Sequence, residues 1–316
     1  MSYQLGHIPS SRPTLSEMAD FMEVKCLTND SGSFSTVEVS TAMGIPGDDG
    51  YMPEDDSENY DCALSEVEDR YVFSNGHYPF ETSNKTIRMR ADVDSMVKDI
   101  YVFLLLSTRE NMSTGRVADG IDGTALFEEL CAAVLKNYFG ENCCSFVFGT
   151  GRNDKDDTFG NKVQKMLDSL QEGRLLFRHP DNDNGQQKDG KLDVVVFIPF
   201  ADNKKGQFIA FGQCKTGTNW QASISQLNPK AFCELYCVPP PGFTPIAVFM
   251  VAEAFEKKWE ELLRLSNGIL FDRLRIMNYI PQKIDGDLLS KIRKWNESVI
   301  RKYRADELIS GDGCPV

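Results

Sequence analysis

The sequence predicts an α/β protein, a sheet flanked by helices, behind an acidic and mainly helical N-terminal third. Three observations predict it. Runs rich in Val, Ile and Phe at 192–199 (LDVVVFIP), 207–214 (QFIAFGQC) and 245–252 have the length and character of buried strands. Segments with apolar residues at helical spacing separate and flank them. The charge is also divided: residues 1–122 hold 9 Lys/Arg against 22 Asp/Glu, and the remainder holds 25 of each, so the net −13 lies entirely in the N-terminal third.

Each element follows from local pattern. Residues 14–27 (TLSEMADFMEVKCL) read as a helix with Thr14 or Ser16 as N-cap. Residues 44–61, rich in Gly, Pro and acid, read as an exposed loop, with a helix over 63–73. YPFETSNKTIRMR at 78–90 reads as a hairpin turning at Ser83, Asn84 and Lys85. The apolar stretch 95–107 reads as a buried helix, and 108–122 as a link. Three regions follow: an interaction or regulatory domain at 1–110, a linker at 111–122 and a main domain at 123–316. In the last, 124–139 (TALFEELCAAVLKNYF) is a long amphipathic helix, 145–148 a short strand and 161–170 a helix. ADNKKG turns a hairpin between the two long strands. A helix over 223–235, the strand 245–252, a helix over 256–265, a strand at 268–271 and a basic helix over 288–303 complete the chain.

Composition excludes several classes. With 41% hydrophobic and 10% aromatic residues, 316 residues can bury a substantial core, so global disorder is not expected. No apolar run approaches the ~20 residues of a membrane span, and the start lacks a signal-peptide pattern. A cytoplasmic protein is expected. The nine cysteines are scattered with no CxxC pair, and three histidines leave few ligands for zinc; reduced, buried thiols are expected.

One constellation carries chemistry. Phosphodiester hydrolysis needs a divalent cation on hard oxygen ligands and a cationic group near the nucleophile. Asp193 lies at the start of one apolar strand, and Gln213-Cys214-Lys215 ends the next. Strand alternation puts Gln213 and Lys215 on one face and Cys214 on the other. Asp189 in KDGK is the alternative carboxylate; Asp193 is favoured because it lies inside an apolar run, where a carboxylate costs burial energy.

The run DGKLDVVVFIPFADNKKGQFIAFGQCKTGTNW resembles the Asp…(Glu/Gln)-x-Lys core of PD-(D/E)XK nucleases, in the variant with Gln for the acidic ligand. GTALFEEL resembles the G-x-x-FE-x-L helix that precedes that core in Mrr-type and related restriction and defence nucleases. The resemblance covers about residues 123–275. It implies a restriction-endonuclease-like mixed sheet flanked by helices and Mg²⁺ (or Mn²⁺) held by Glu128, Asp193 and the backbone carbonyl of Cys214. Gln213 would lie beside the ion, and Lys215 would orient or deprotonate the attacking water. Glu129 is the neighbouring alternative to Glu128. The neutral Gln removes one negative charge and shifts more of the metal affinity to Glu128.

Arg152, Lys155, Trp220, Lys291, Arg293 and Lys294 are candidates for nucleic-acid contact. Each has a structural alternative: a solvated loop for Arg152 and Lys155, a core anchor for Trp220, a helix C-terminus complementing the macrodipole for the basic helix. Arg273 and Arg275 suit phosphate contact or structural ion pairs equally. The expected activity is endonucleolytic hydrolysis of double-stranded DNA by the effector of a bacterial anti-phage system. An ATPase-like protein partner or homo-oligomerisation is expected, and the acidic third would restrain the enzyme. The alternatives are a catalytically silent nuclease-like assembly subunit and an RNase toxin using the same residues.

Overall fold

The computed structural model describes residues 13–42, 54–148, 158–172, 176–177, 190–202, 204–255 and 258–311, with the backbone alone at 54–60, 176–177 and 307–311. Helix α1 (Leu15–Thr28) starts at Thr14, whose hydroxyl accepts from the Glu17 N–H while Glu17 reaches back, a complete capping box. Of the two expected caps, Ser16 is the one not used; its hydroxyl donates to the carbonyl of Ala254 at 2.5 Å. Strand β1 (Ser33–Ser35) and helix α2 (Thr36–Ala42) were not expected, because Phe34 and Val39 are too few buried side chains to make a periodic signal.

Helix α3 (Glu54–Phe73) begins inside the acidic run expected to be a loop. Acidic residues at a helix start complement the macrodipole, so this run opens the helix. Strands β2 (Phe80–Ser83) and β3 (Thr86–Met89) form the expected hairpin, with Asn84 and Lys85 at φ 50° and 58°. Strand β1 pairs antiparallel with β3. Helix α4 (Ser95–Arg109), capped by Asp94, is buried almost throughout. The expected link holds a minimal hairpin, β4 (Val117–Ala118) and β5 (Ile121–Asp122).

Helix α5 (Gly123–Phe139) follows, capped by Asp122, and then β6 (Cys144–Val147), α6 (Phe159–Leu170) and β7 (Leu176–Phe177). The long strands are β8 (Val194–Ile198) and β9 (Phe208–Lys215). The helix expected over 223–235 is two pieces, a 3₁₀ turn at Trp220–Ser223 and α7 (Pro229–Tyr236). Pro229 sits in the first turn, behind an Asn228 cap, because a helix interior cannot accommodate it. Strands β10 (Cys237–Val238) and β11 (Ile246–Val251) lead to α8 (Trp259–Ser266), β12 (Gly268–Phe271), α9 (Arg273–Asn278) and α10 (Gly286–Gly311).

The main sheet has the order β12-β11-β9-β8-β6. Strands β6, β8 and β9 are antiparallel, whereas β9, β11 and β12 run parallel. On one face Val194, Val196, Ala210, Cys214, Val248 and Met250 share a core with α4, α5 and α10. On the other, Val195, Phe197, Ile209 and Phe211 meet α6 and α7, while Phe249, Val251 and Leu270 meet Trp220 and α8. Both faces are covered by helices, which explains the unbroken hydrophobic runs.

The N-terminal third is built into this core. One hydrophobic cluster runs from Met18 to Tyr303, on both sides of 111–122. A buried ionic network also crosses that segment. Arg70 Nη1 lies 2.7 Å from Asp20 and 2.6 Å from Glu23, and Arg273 Nη1 lies 2.8 Å from Asp20. Arg109 Nε donates to Asp20 at 2.7 Å, and Tyr78 donates to Glu23 at 2.6 Å. Of the two roles open for Arg273, the structure gives the ion pair. No described helix is long and apolar enough to cross a membrane.

Candidate active site

Asp193 lies at the boundary of β8. Its N–H donates to the Gly212 carbonyl at 2.9 Å, although Gly212 is the ladder partner of Val194. Two residues of one strand therefore oppose one of the other, a bulge that re-aims a side chain. The re-aimed carboxylate turns to β9, where Oδ2 accepts from the Cys214 N–H at 2.8 Å. Lys215 gives its carbonyl to Ala252 on the β11 side, so alternation puts both polar backbone groups of Cys214 on the β8 side. The Cys214 carbonyl and the Asp193 carboxylate thus share the gap where β8 begins.

Helix α5 brings Glu128 to the same neighbourhood. The thiols of Cys131 and Cys214 hydrogen-bond each other, and burial holds both above the ordinary thiol range. The carboxylates of Asp193 and Glu128 raise both further, so the two acids act on one thiol pair. Glu129 is directed elsewhere. Burial raises its pKa, and the charges acting on it are Lys291, Asp287 and Asp285, at the α10 side. The two neighbouring glutamates thus act on different groups, Glu128 on the thiol pair and Glu129 on the α10 side.

Gln213 and Lys215 share a face, as expected from alternation. Register pairs Gln213 with Phe249 and Lys215 with Val251, on the face opposite Cys214, Cys131 and α5. Gln213 is fully buried, and neither its Oε1 nor its Nε2 has a hydrogen-bond partner among the described residues. An unpaired buried amide costs about 1–3 kcal/mol, a penalty that marks this strand end as a polar site rather than ordinary core.

The contact candidates fare unevenly. Trp220 is 2% exposed and its Nε1 donates to Glu253 at 2.6 Å, so the ring is not available to a nucleic acid and serves as a core anchor. Arg293 lies 2.5 Å from Asp99, tying α10 to α4, and Lys291 pairs with Asp287 one turn earlier. Lys294 is exposed. Arg152, Lys155 and the alternative carboxylate Asp189 lie outside the described residues. The eight cysteines among the described residues are free thiols; Cys62 and Cys144 are exposed, against the expectation of buried thiols.

Two acids were missed. Glu253 and Asp272 follow the carboxyl ends of the parallel strands β11 and β12, the sheet end at which Asp193 and Lys215 also lie. Ligands of open α/β sheets gather at such ends. Burial pushes the Glu253 carboxyl up to about 7, against the pull of Arg109 and its bond from Trp220. Burial likewise pushes Asp272 up to about 6, against the bond it accepts from the Arg275 N–H. Each acid ends an apolar run (PIAVFMVAE, GILFD), the signal that selected Asp193.

Among the described residues there is no group of three or more His, Cys, Asp or Glu side chains able to hold a metal ion. That excludes an all-side-chain cage of the zinc type. Mg²⁺ is commonly held through one or two carboxylates and keeps several waters, and Asp193, Glu128 and the Cys214 carbonyl are hard oxygen donors of that kind. The donor chemistry fits.

Comparison of the chain with protein-family models, curated proteins and solved structures found no match.

Proposed function

We propose that this protein is a Mg²⁺- or Mn²⁺-dependent nuclease that hydrolyses DNA phosphodiester bonds, the effector of a bacterial anti-phage system. The observation that carries the reading is the Asp193 carboxylate, turned by a bulge onto the Cys214 N–H at the end of β9. In its support, the chain runs α5, β6, α6, β7, β8, β9, and its five-stranded sheet is mixed with helices on both faces, the coarse arrangement such a nuclease would need.

Asp193, Glu128 and the Cys214 carbonyl would hold the cation, which supplies charge neutralisation at the phosphorane and lowers the pKa of water. Lys215, at the end of β9, would orient the attacking water and stabilise charge on the phosphate oxygens. The shared core makes the N-terminal third an integral part of the enzyme, so its acidic surface would repel DNA or dock an ATPase-like partner from a fixed position.

One observation favours the second reading, a silent nuclease-like assembly subunit. Gln213 and Lys215 extend from the sheet face opposite Cys131 and α5, and Gln213 is wholly buried. Incubating plasmid with the wild type, Asp193→Ala and Lys215→Ala in Mg²⁺ or Mn²⁺ decides between them. The nuclease reading expects cleavage by the wild type and a loss of at least 100-fold in both variants, on the order of one removed catalytic group. Cleavage that persists in both variants, or is absent from all three proteins, contradicts it.

A further inference from the structure

A second cavity lies away from these residues, between the end of α3, the start of α8 and α9. Its volume of about 480 Å³ is within the ~300–1,000 Å³ usual for small-molecule sites. None of Glu128, Asp193, Gln213 or Lys215 lines it. Phe73, Phe255 and Trp259 form an aromatic wall. Phe255 stacks on Trp259, with centroids 5.1 Å apart and planes at 26°. The Arg275 guanidinium lies 4.3 Å from the Trp259 ring centroid, and its Nη1 donates to the Leu270 carbonyl at 2.9 Å. Phe73, 51% exposed, leaves a ring at the cavity open to a stacking partner.

The polar groups at the cavity are unequal. Glu66 is paired with Arg70 at 3.2 Å, Asp272 accepts the Arg275 N–H on one oxygen and keeps the other, Asn278 offers an amide, and the one cation among the described lining residues, Arg275, is committed to Trp259 and Leu270. A ligand matching this lining is planar, stacks on aromatic or guanidinium faces, and presents adjacent N–H donors beside an acceptor. Guanine has that edge: N1–H and the N2 amino group suit a carboxylate, and O6 suits the Asn278 amide. Adenine, cytosine and uracil each lack the paired donors. Stacking of bases on aromatic rings and on Arg planes is a general mode of recognition.

We infer that this cleft binds a guanine base, either a free guanine nucleotide or a guanine unstacked from a strand, through Phe73, Asp272 and Asn278. The inference goes beyond the nuclease reading and does not depend on it, since none of the four residues proposed for hydrolysis lines the cleft.

Fluorescence reports on this cleft with little background. Of the three tryptophans, Trp220 and Trp295 are 2% and 0% exposed, so Trp259 is the one at the cavity. The full-length protein is titrated with GMP, AMP, CMP, UMP and L-arginine, and with short single strands that contain or lack guanine. Saturable binding of GMP, or of the guanine-containing strand alone, at least tenfold tighter than its counterparts is expected; which of the two binds identifies the source of the base. Asp272→Asn keeps the helix cap, since Asn caps as well as Asp, and should weaken that binding at least tenfold with an unchanged circular dichroism spectrum. Phe73→Ala, at an exposed position, should weaken every nucleotide. Asp193→Ala should bind as the wild type does, whatever the fate of the nuclease reading. No saturable response, equal affinity for all four nucleotides, tighter binding of arginine, or Asp272→Asn binding unchanged would overturn the proposal.

Discussion

Glu253 and Asp20 are both buried carboxyls, yet their surroundings drive them in opposite directions. Burial opposes the charge of both. At Asp20 the guanidiniums of Arg109, Arg273 and Arg70 overcome it and hold the carboxyl well below the usual range. At Glu253 the pull of Arg109, the Trp220 N–H and Arg273 does not, and the carboxyl stays near 7. The folded protein therefore keeps a proton on Glu253 that the unfolded chain releases near 4.5, so this group's contribution to stability falls as pH rises between those values. Glu253→Gln removes the titration and retains an oxygen for the Trp220 N–H. Its unfolding free energy relative to wild type should rise by about 3 kcal/mol from pH 4.5 to above 7 in denaturant titrations, and stay level beyond. Residues of this kind were only partly legible. Asp193 stood out as a carboxylate in an apolar run, and Glu253 and Asp272 carried the same signal at a strand's end. Which of Glu128 and Glu129 faces the strands depends on helix phase against β9, and that is set by packing.

Element-scale features were legible wherever a local rule acts alone. The Thr14 capping box, the Asn84-Lys85 turn and the strand alternation at Gln213-Cys214-Lys215 each follow from a few neighbouring residues. The bulge at Asp193 was not legible, because a bulge depends on how two strands pair, and one strand's sequence does not encode it. The acidic run before α3 and the break before Pro229 show two local signals in competition: charge against helix start, periodicity against the missing N–H. Gly123, the first residue of GTALFEEL, has a packing reason here. A Cβ at that position would lie 2.8–2.9 Å from the Trp295 ring, whose Nε1 donates to the Arg116 carbonyl. Gly123→Ala should push α5 from α10 and lower the unfolding free energy by about 1–3 kcal/mol in urea titrations, the usual cost of overpacking.

At the scale of the whole molecule, the α/β class was legible. Alternating strand and helix periods gave an α/β protein, and the mixed sheet was expected from the family resemblance. The charge split pointed to two units, but charge reports on surface, whereas the core and the Asp20–Arg70–Arg273 network join both parts. The sheet end gathers Asp193, Lys215, Glu253 and Asp272 because β8 starts where the parallel strands finish, a consequence of topology that no single segment contains. The central claim is that this end holds a divalent cation through Asp193 and Glu128. Titration of the full-length protein with Mn²⁺, reading free ion by electron paramagnetic resonance, tests it most directly. The account predicts a saturable site in the wild type, weakened at least tenfold in Asp193→Ala and in Glu128→Gln; no saturable binding, or equal binding by all three proteins, contradicts it.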